Sequence, residues 1–366
     1  LLWGHAHGQQ QAVVSVVAAH VVLRQELQSG CDLNDLVTTR ACVDVFGGQP
    51  SVLFVKVGHG TRGAGQGVSL EQPCGCGGLR RLGHVSKIGA PYLRFMGLQF
   101  EKWEGTGNDF VLVDGRQAGE LPSSWTPDEI QRLCDRRLGV GSDGVVVVSV
   151  NDEGLLVVDF RNPDGSRSFC GNGTRAALAW AHGAGLISAH DVSVTIKAVD
   201  GVHHGLVRVN GTPGISLLVD GTPRFGIAGQ AASTSAFLDT GSPHHVMWLD
   251  NPEALVDLDL EGVASPVRHH ADHAPEGCNV NVVAPGEDGA LQIRTFERGV
   301  EGETLSCGTG VVASALCDMV KSGDQGASSR TVNARGGVLT VEAELRADGR
   351  FSSVWLWGSA RRVFQG

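Results

Sequence analysis

From residue 106 onward the chain repeats itself. Thr106-Gly-Asn108 opens an apolar run, Phe110 to Asp114, and Thr240-Gly-Ser242 opens another, Val246 to Asp250. Cys170-Gly-Asn-Gly-Thr-Arg-Ala-Ala begins 64 residues after Thr106, and Cys307-Gly-Thr-Gly-Val-Val-Ala-Ser begins 67 residues after Thr240. Two glycine-rich stretches could coincide by chance. Paired landmarks in the same order at nearly the same spacing point instead to two similar domains. Facing each other, they would leave a cleft, a common place for a ligand.

The local patterns specify α+β rather than regular βαβ alternation. Short β-branched runs recur at Val145 to Val150, Leu155 to Phe160, Val192 to Ala198, Gly205 to Val209, Ile215 to Val219, Val280 to Ala284, Leu291 to Phe296, Val338 to Val341 and Ser353 to Leu356. Helical signals follow the two cysteines, over Thr174 to His182 and Val311 to Lys321, each closed by a glycine. Strands dominate, and the few helices follow the cysteines.

Residues 1–95 differ from the rest. They carry 8 Lys/Arg against 5 Asp/Glu, leaving 21 against 34 for the remaining 271 residues, within a net charge of −10. An acidic chain does not invite nucleic acid. Ser51 to Val57 reads as a strand, but sustained periodicity is scarce. Cys74-Gly-Cys-Gly-Gly78 lacks the spacing of a zinc half-site and has no partner pair, so no metal is expected. The first methionine is Met96. We therefore expect an N-terminal extension over 1–95 outside the catalytic fold, a first half over 96–220 with Cys170, and a second over 221–366 with Cys307. The longest apolar stretch, Ala12 to Leu23, is too short to cross a bilayer, and no secretory signal is read. Nine scattered cysteines, an odd number, argue for free thiols in a reducing compartment.

A cysteine at a helix start meets unpaired N–H groups and a partial positive charge. That position is expected to lower a thiol's pKa and to hold a substrate carboxylate. Inverting a stereocentre needs a base on one face and an acid on the other, and a thiolate and a thiol fill both roles. Cys170 and Cys307 fit that chemistry through their repeated context. Cys31, Cys42, Cys134, Cys278 and Cys317 read as small buried hydrophobes. Glu297 and Arg298, adjacent at a strand end, could clamp an ammonium and a carboxylate.

Taken together, Gly105-Thr-Gly-Asn-Asp-Phe110, Gly139-Val-Gly-Ser-Asp-Gly144, Asn162-Pro-Asp-Gly-Ser166, Cys170-Gly-Asn-Gly173, Gly241-Ser-Pro-His244, Pro275-Glu-Gly-Cys-Asn279, Glu297-Arg-Gly299 and Cys307-Gly-Thr-Gly310 resemble diaminopimelate epimerase in family order, from about Phe100 to Val363. The resemblance implies two pseudo-symmetric domains, each a mostly antiparallel, barrel-like sheet around a central helix. It implies epimerisation of LL-diaminopimelate to the meso form in lysine and peptidoglycan precursor synthesis, without pyridoxal phosphate or any other cofactor, by a cytoplasmic homodimer. Cys170 and Cys307 would be the base and acid. Backbone N–H groups of Gly171, Asn172, Gly308 and Thr309 would hold the carboxylate. Asn108, Asn162, Asn279, Glu297 and Arg298 would recognise the substrate, largely at its distal end, and a charged His244 near the reacting centre could favour a thiolate. Three departures stand out. Ser242 replaces the usual asparagine, Asn162 is closer to Cys170 than is common, and Val300 to Thr304 contains one extra residue.

Other readings make different demands. A proline racemase or hydroxyproline epimerase would share Cys-Gly-Thr-Gly but leave Glu297, Arg298 and the asparagines without a task. A dinucleotide fold would need a strand before Gly139 or Gly171 and a helix after it; neither match has both. A non-catalytic ligand-binding relative would tolerate loss of either cysteine.

Overall fold

In the computed structural model, residues 98–117, 125–187, 190–231 and 234–366 are described in full, with the backbone of six strands before them. The chain forms two compact units, Leu1–Leu98 and Gln99–Gly366. The first holds Gln9–Val16, Ala19–Glu26, Val37–Val43, Ser51–Val57, Val68–Pro73 and Leu79–Val85. Each pairs antiparallel with the next, and the Ser51–Val57 strand is the run expected from its sequence. Cys31, the Cys74–Gly78 segment and Met96 lie outside the described residues, as does the side chain of Cys42.

In the second unit sixteen strands form one ladder whose two ends repeat. Its midpoint is the antiparallel pair Pro213–Ser216 and Phe351–Gly358. Outward on one side come Gly201–Val207, Val194–Ala198, Leu156–Arg161, Gly144–Val150, Asn108–Asp114, Glu101–Gly105 and Arg361–Gln365. Outward on the other come Gly337–Leu345, Gly326–Ala334, Leu291–Glu297, Asn279–Pro285, Pro243–Trp248, Ser235–Asp239 and Arg224–Phe225. Both sequences of pairings run antiparallel, antiparallel, parallel, antiparallel, parallel, antiparallel, antiparallel. The two mostly antiparallel, pseudo-symmetric domains implied by the repeat are present. One strand departs from the linear division at 220/221: Arg361–Gln365 pairs with Glu101–Gly105, so the chain's last strand completes the first half's sheet.

Each half wraps its sheet around one helix, Gly171–Gly183 or Gly308–Lys321. Both lack acidic residues in the first turn, and both are buried over nearly their whole surface. A helix apolar on every side belongs inside a core rather than on a surface. Ala176, Ala177, Leu178, Ala313, Ala315 and Leu316 share one hydrophobic core with strand residues of both halves. Cys134, Cys278 and Cys317 are free and buried, as their reading as small hydrophobes required. Among the described residues no helix is long and apolar enough to cross a membrane.

Candidate active site

Cys170 and Cys307 are the N-caps of the two central helices. Their backbones are alike, with φ/ψ of −129°/107° and −106°/108°. Extended backbone at the cap leaves the first-turn N–H groups without intrahelical acceptors. The Gly173 N–H donates to Cys170 Sγ at 3.4 Å. Cys307 Sγ lies 3.5 Å from Thr309 Oγ1.

The helix starts meet through Asn172. Its Nδ2 donates to the carbonyl of Ser306, the residue before Cys307, at 3.2 Å, and to Asn108 Oδ1 at 2.5 Å. A Cβ on Gly308 would come 3.2 Å from Asn172 Oδ1, so the glycine permits this approach. The second half answers with its own polar cluster. Ser242 Oγ lies 2.9 Å from His244 Nε2 and 3.2 Å from Thr309 Oγ1, and His244 Nε2 lies 2.9 Å from Thr309 Oγ1. Asn281 Nδ2 donates to His244 Nδ1 at 3.1 Å, which leaves the proton of a neutral ring on Nε2. Asn279 Nδ2 donates to Ser242 Oγ and to the Pro243 carbonyl, and its Oδ1 accepts from the Arg298 N–H at 2.9 Å.

Two electrostatic expectations are corrected here. Burial pushes the Cys170 thiol up to about 11 and the Cys307 thiol up to about 12, and the Glu297 carboxylate adds to both. Hydrogen bonds from the helix starts oppose the rise without cancelling it. Loss of water around a buried sulfur outweighs a helix end's fractional charge. His244 is likewise driven down to about 3, first by burial and then by Arg298, so its ring is neutral rather than charged near neutral pH.

The same influences locate the remaining residues. Glu297 acts on both thiols, and ionised Cys170 raises Cys307. Burial raises the Glu297 carboxyl itself, and Asp143 adds to the rise. The Arg298 guanidinium reaches Glu276 at 3.2 Å. Thus Cys170, Gly171, Asn172, Asn108, Cys307, Gly308, Thr309, Ser242, His244, Asn279, Glu297 and Arg298 form one connected group. Asn162 is engaged elsewhere: its amide donates to Ser166 and Ser168 in its own turn. No group of three or more His, Cys, Asp or Glu among the described residues is placed to hold a metal.

Sequence reasoning missed three contributors. Asn281 carried only its place beside Asn279 as a signal. Asp143 binds the Asn108 amide at 3.1 Å and sat within a quoted motif without a role. Arg175 could have been found as a charged residue one turn into an apolar helix.

Comparison with known proteins shows what the chain as a whole resembles. A family model described as diaminopimelate epimerase matches residues 100–203 and 236–363. The diaminopimelate epimerase of Flavobacterium psychrophilum is 35% identical over 269 residues, covering 73% of this chain and 99% of that protein. That of Gemmatimonas aurantiaca is 36% identical over 282 residues, covering 74% and 98%. Among solved structures, a Bacillus anthracis phenazine biosynthesis protein of the PhzF family aligns with a TM-score of 0.57 at 16% identity, covering 74% of this chain and 98% of that one. At that identity the likeness is one of fold. The chain belongs to the diaminopimelate epimerase family.

Proposed function

We propose that this chain interconverts LL- and meso-diaminopimelate, using Cys170 and Cys307 as a base and acid pair and no cofactor. The observation that carries the reading is the meeting of two thiol-capped helix starts across the Asn172–Ser306 contact. In one direction the thiolate of one cysteine takes the α-proton, forming S–H as Cα–H breaks. The thiol of the other then gives its proton to the opposite face, restoring Cα–H with inverted configuration and leaving its own sulfur as thiolate. The reverse direction exchanges the roles. First-turn N–H groups of Gly171, Asn172, Gly308 and Thr309 hold the α-carboxylate and stabilise the charge that gathers there when the proton leaves.

Raised thiol values make this arrangement demanding. Near neutral pH a buried thiolate needs a counter-charge, and the substrate's α-ammonium supplies one as it displaces water. Glu297 and Arg298 match the ammonium and carboxylate of a second amino-acid head, with Asn108, Ser242, Asn279 and His244 completing the polar lining. For Asn162 to take part, it would have to give up its bonds to Ser166 and Ser168. In this reading halves 96–220 and 221–366 contribute one cysteine each. The enzyme serves lysine and peptidoglycan precursor synthesis as a cytoplasmic homodimer.

The test is α-proton exchange in deuterated water with LL- and meso-diaminopimelate, for wild type, Cys170→Ala and Cys307→Ala. Each substitution is expected to lower epimerisation by about 10²- to 10⁴-fold, the range of acid–base contributions. Full activity in either variant, or exchange on proline but not on diaminopimelate, would overturn the proposal.

A further inference from the structure

Arg175 is a buried cation with no equivalent in the other half. It lies five residues after Cys170, where the second half has Val312 five residues after Cys307. Its side chain is fully buried. Nη2 donates to Asn172 Oδ1 at 2.6 Å and to Thr106 Oγ1 at 2.8 Å, and Nη1 donates to the Ser359 carbonyl at 3.1 Å. Nε has no partner. A Cβ on Gly358 would fall 2.4 Å from Nη1, so the backbone closes directly over the guanidinium. All three acceptors are neutral, and no carboxylate among the described residues forms an ion pair with it. Burying an unpaired cation is costly.

The geometry shows where that charge acts. Because Arg175 occupies Asn172 Oδ1, the Asn172 amide must turn its NH₂ toward Asn108 and Ser306. The chain Arg175–Asn172–Ser306 therefore ties the Cys170 helix to the segment that carries Cys307. Cys170 faces three charged or titratable groups: Arg175 from its own helix, Glu297 from a strand of the other half, and Cys307. Cys307 is raised by both Glu297 and Cys170. Burial lowers the Arg175 guanidinium to about 10, and a Cys170 thiolate first and Glu104 second oppose that fall.

We propose that Arg175 is a positioning residue with two linked effects: it locks the Asn172 amide that holds the two cysteine helices in register, and its unpaired charge makes Cys170 the thiol that ionises first. The assignment rests on the two-thiol reading above. It makes the resting enzyme asymmetric although its scaffold is nearly symmetric.

The test titrates thiolate ultraviolet absorbance in the full chain. Differences from Cys170→Ala and Cys307→Ala assign the two midpoints, and no substrate is present. In wild type, the Cys170 midpoint is expected to lie below that of Cys307. Arg175→Met should raise the Cys170 midpoint by about one pH unit and that of Cys307 much less. Arg175→Lys, which keeps the charge, should restore the Cys170 midpoint while leaving kcat reduced about tenfold, with KM changed less. A purely structural residue would alter thermal stability without reordering the midpoints. A wild-type Cys307 midpoint at or below that of Cys170 overturns the proposal, as does an unchanged Cys170 midpoint or equal movement of both in folded Arg175→Met. If Arg175→Met does not fold, the wild-type order and the Arg175→Lys titration decide alone. Failure of wild type to turn over diaminopimelate would sink the functional reading separately, because the midpoints need no turnover.

Discussion

The two halves of the catalytic unit share a strand order, pairing pattern and helix start, yet they fill matched positions differently. Asn172 contacts Asn108 where Thr309 contacts Ser242. Arg175 stands where the other half has Val312, and Phe110 where it has His244. The first half therefore surrounds its thiol with amides and a buried guanidinium. The second uses hydroxyls and a neutral imidazole. The repeat gives two equivalent helix starts, whereas the side chains around them differ. The difference teaches that a symmetric scaffold need not give a symmetric pair of acids. The shared part concerns backbone N–H groups, and the divergent part concerns the side chains that surround each sulfur.

Acid should affect the halves unequally, and this is the largest effect expected. Burial holds His244 at about 3 and His245 at about 4, and also lowers His273. Between their usual value of 6.5 and those depressed values, the unfolded chain takes up protons that the folded chain refuses. Their contribution is present above pH 6.5 and is lost as pH falls, by roughly 2 kcal/mol at pH 5 for each of His244 and His245. In the first half His203 moves the other way: burial alone would lower it, but bonds to Asp200 and the Ser216 carbonyl leave it raised. Its contribution is full below the unfolded value and fades as pH rises. Hydrogen exchange followed from pH 7 to pH 5 should show the Gly308–Lys321 helix losing protection before Gly171–Gly183. Equal loss would mean that the halves unfold as one unit and would break the comparison.

A methyl group placed at matched glycines should sharpen it. On Gly310 a Cβ would sit 2.3 Å from Asn281 Oδ1 and 3.2 Å from His244 Cε1. Asn281 is fully buried and hydrogen-bonded to Thr295, so it has nowhere to move. On Gly173 the nearest atoms are Val146 Cγ2 at 3.3 Å, Cys170 Sγ at 3.5 Å and Phe160 Cδ2 at 3.5 Å. Gly310→Ala should cost about 1–3 kcal/mol by overpacking. Gly173→Ala should cost under about 1 kcal/mol, because alanine's better helix propensity offsets a mild squeeze. Thermal unfolding of the two variants checks the order.

The smallest contrast concerns the hydrogen-bonded lining. Asn108→Ala removes an acceptor from the buried Asn172 amide and should cost about 1–2 kcal/mol. Ser242→Ala should cost under about 1 kcal/mol, because His244 keeps Thr309 and Asn279 keeps the Pro243 carbonyl. Denaturant midpoints that rank the two in reverse would show that the second half's hydroxyl network carries more than its geometry indicates.

Much of this was legible in the sequence because it rested on local chemistry. Both cysteine helices begin where Cys-Gly-x-Gly said they should, and most β-branched runs became strands with ends shifted by a few residues. The helix Pro127–Cys134 was missed although Thr126 and Glu129 form a capping box with a proline at its start. Other features were not local. The polar, exposed strand Arg361–Gln365 gains its partner only through a distant pairing. The charge states of Cys170, Cys307 and His244 depend on burial, which no short motif reports. Arg175 reads as one more helical arginine, and only the fold shows that it forms no ion pair among the described residues.

The return of Arg361–Gln365 to the first sheet has a mechanical meaning. The chain passes between the halves once after Ser216 and again around Ser359, on either side of the Pro213–Ser216 and Phe351–Gly358 pair. A single tether would let the halves swivel in any direction. Two crossings flanking a paired seam behave as a door on two hinges, confining opening to rotation about the seam. Cutting one crossing would leave the other attached, so a nicked chain should still co-purify as one body. The Arg175 guanidinium holds the Ser359 carbonyl at the second hinge, so opening the door and loosening the Asn172 latch would be one movement.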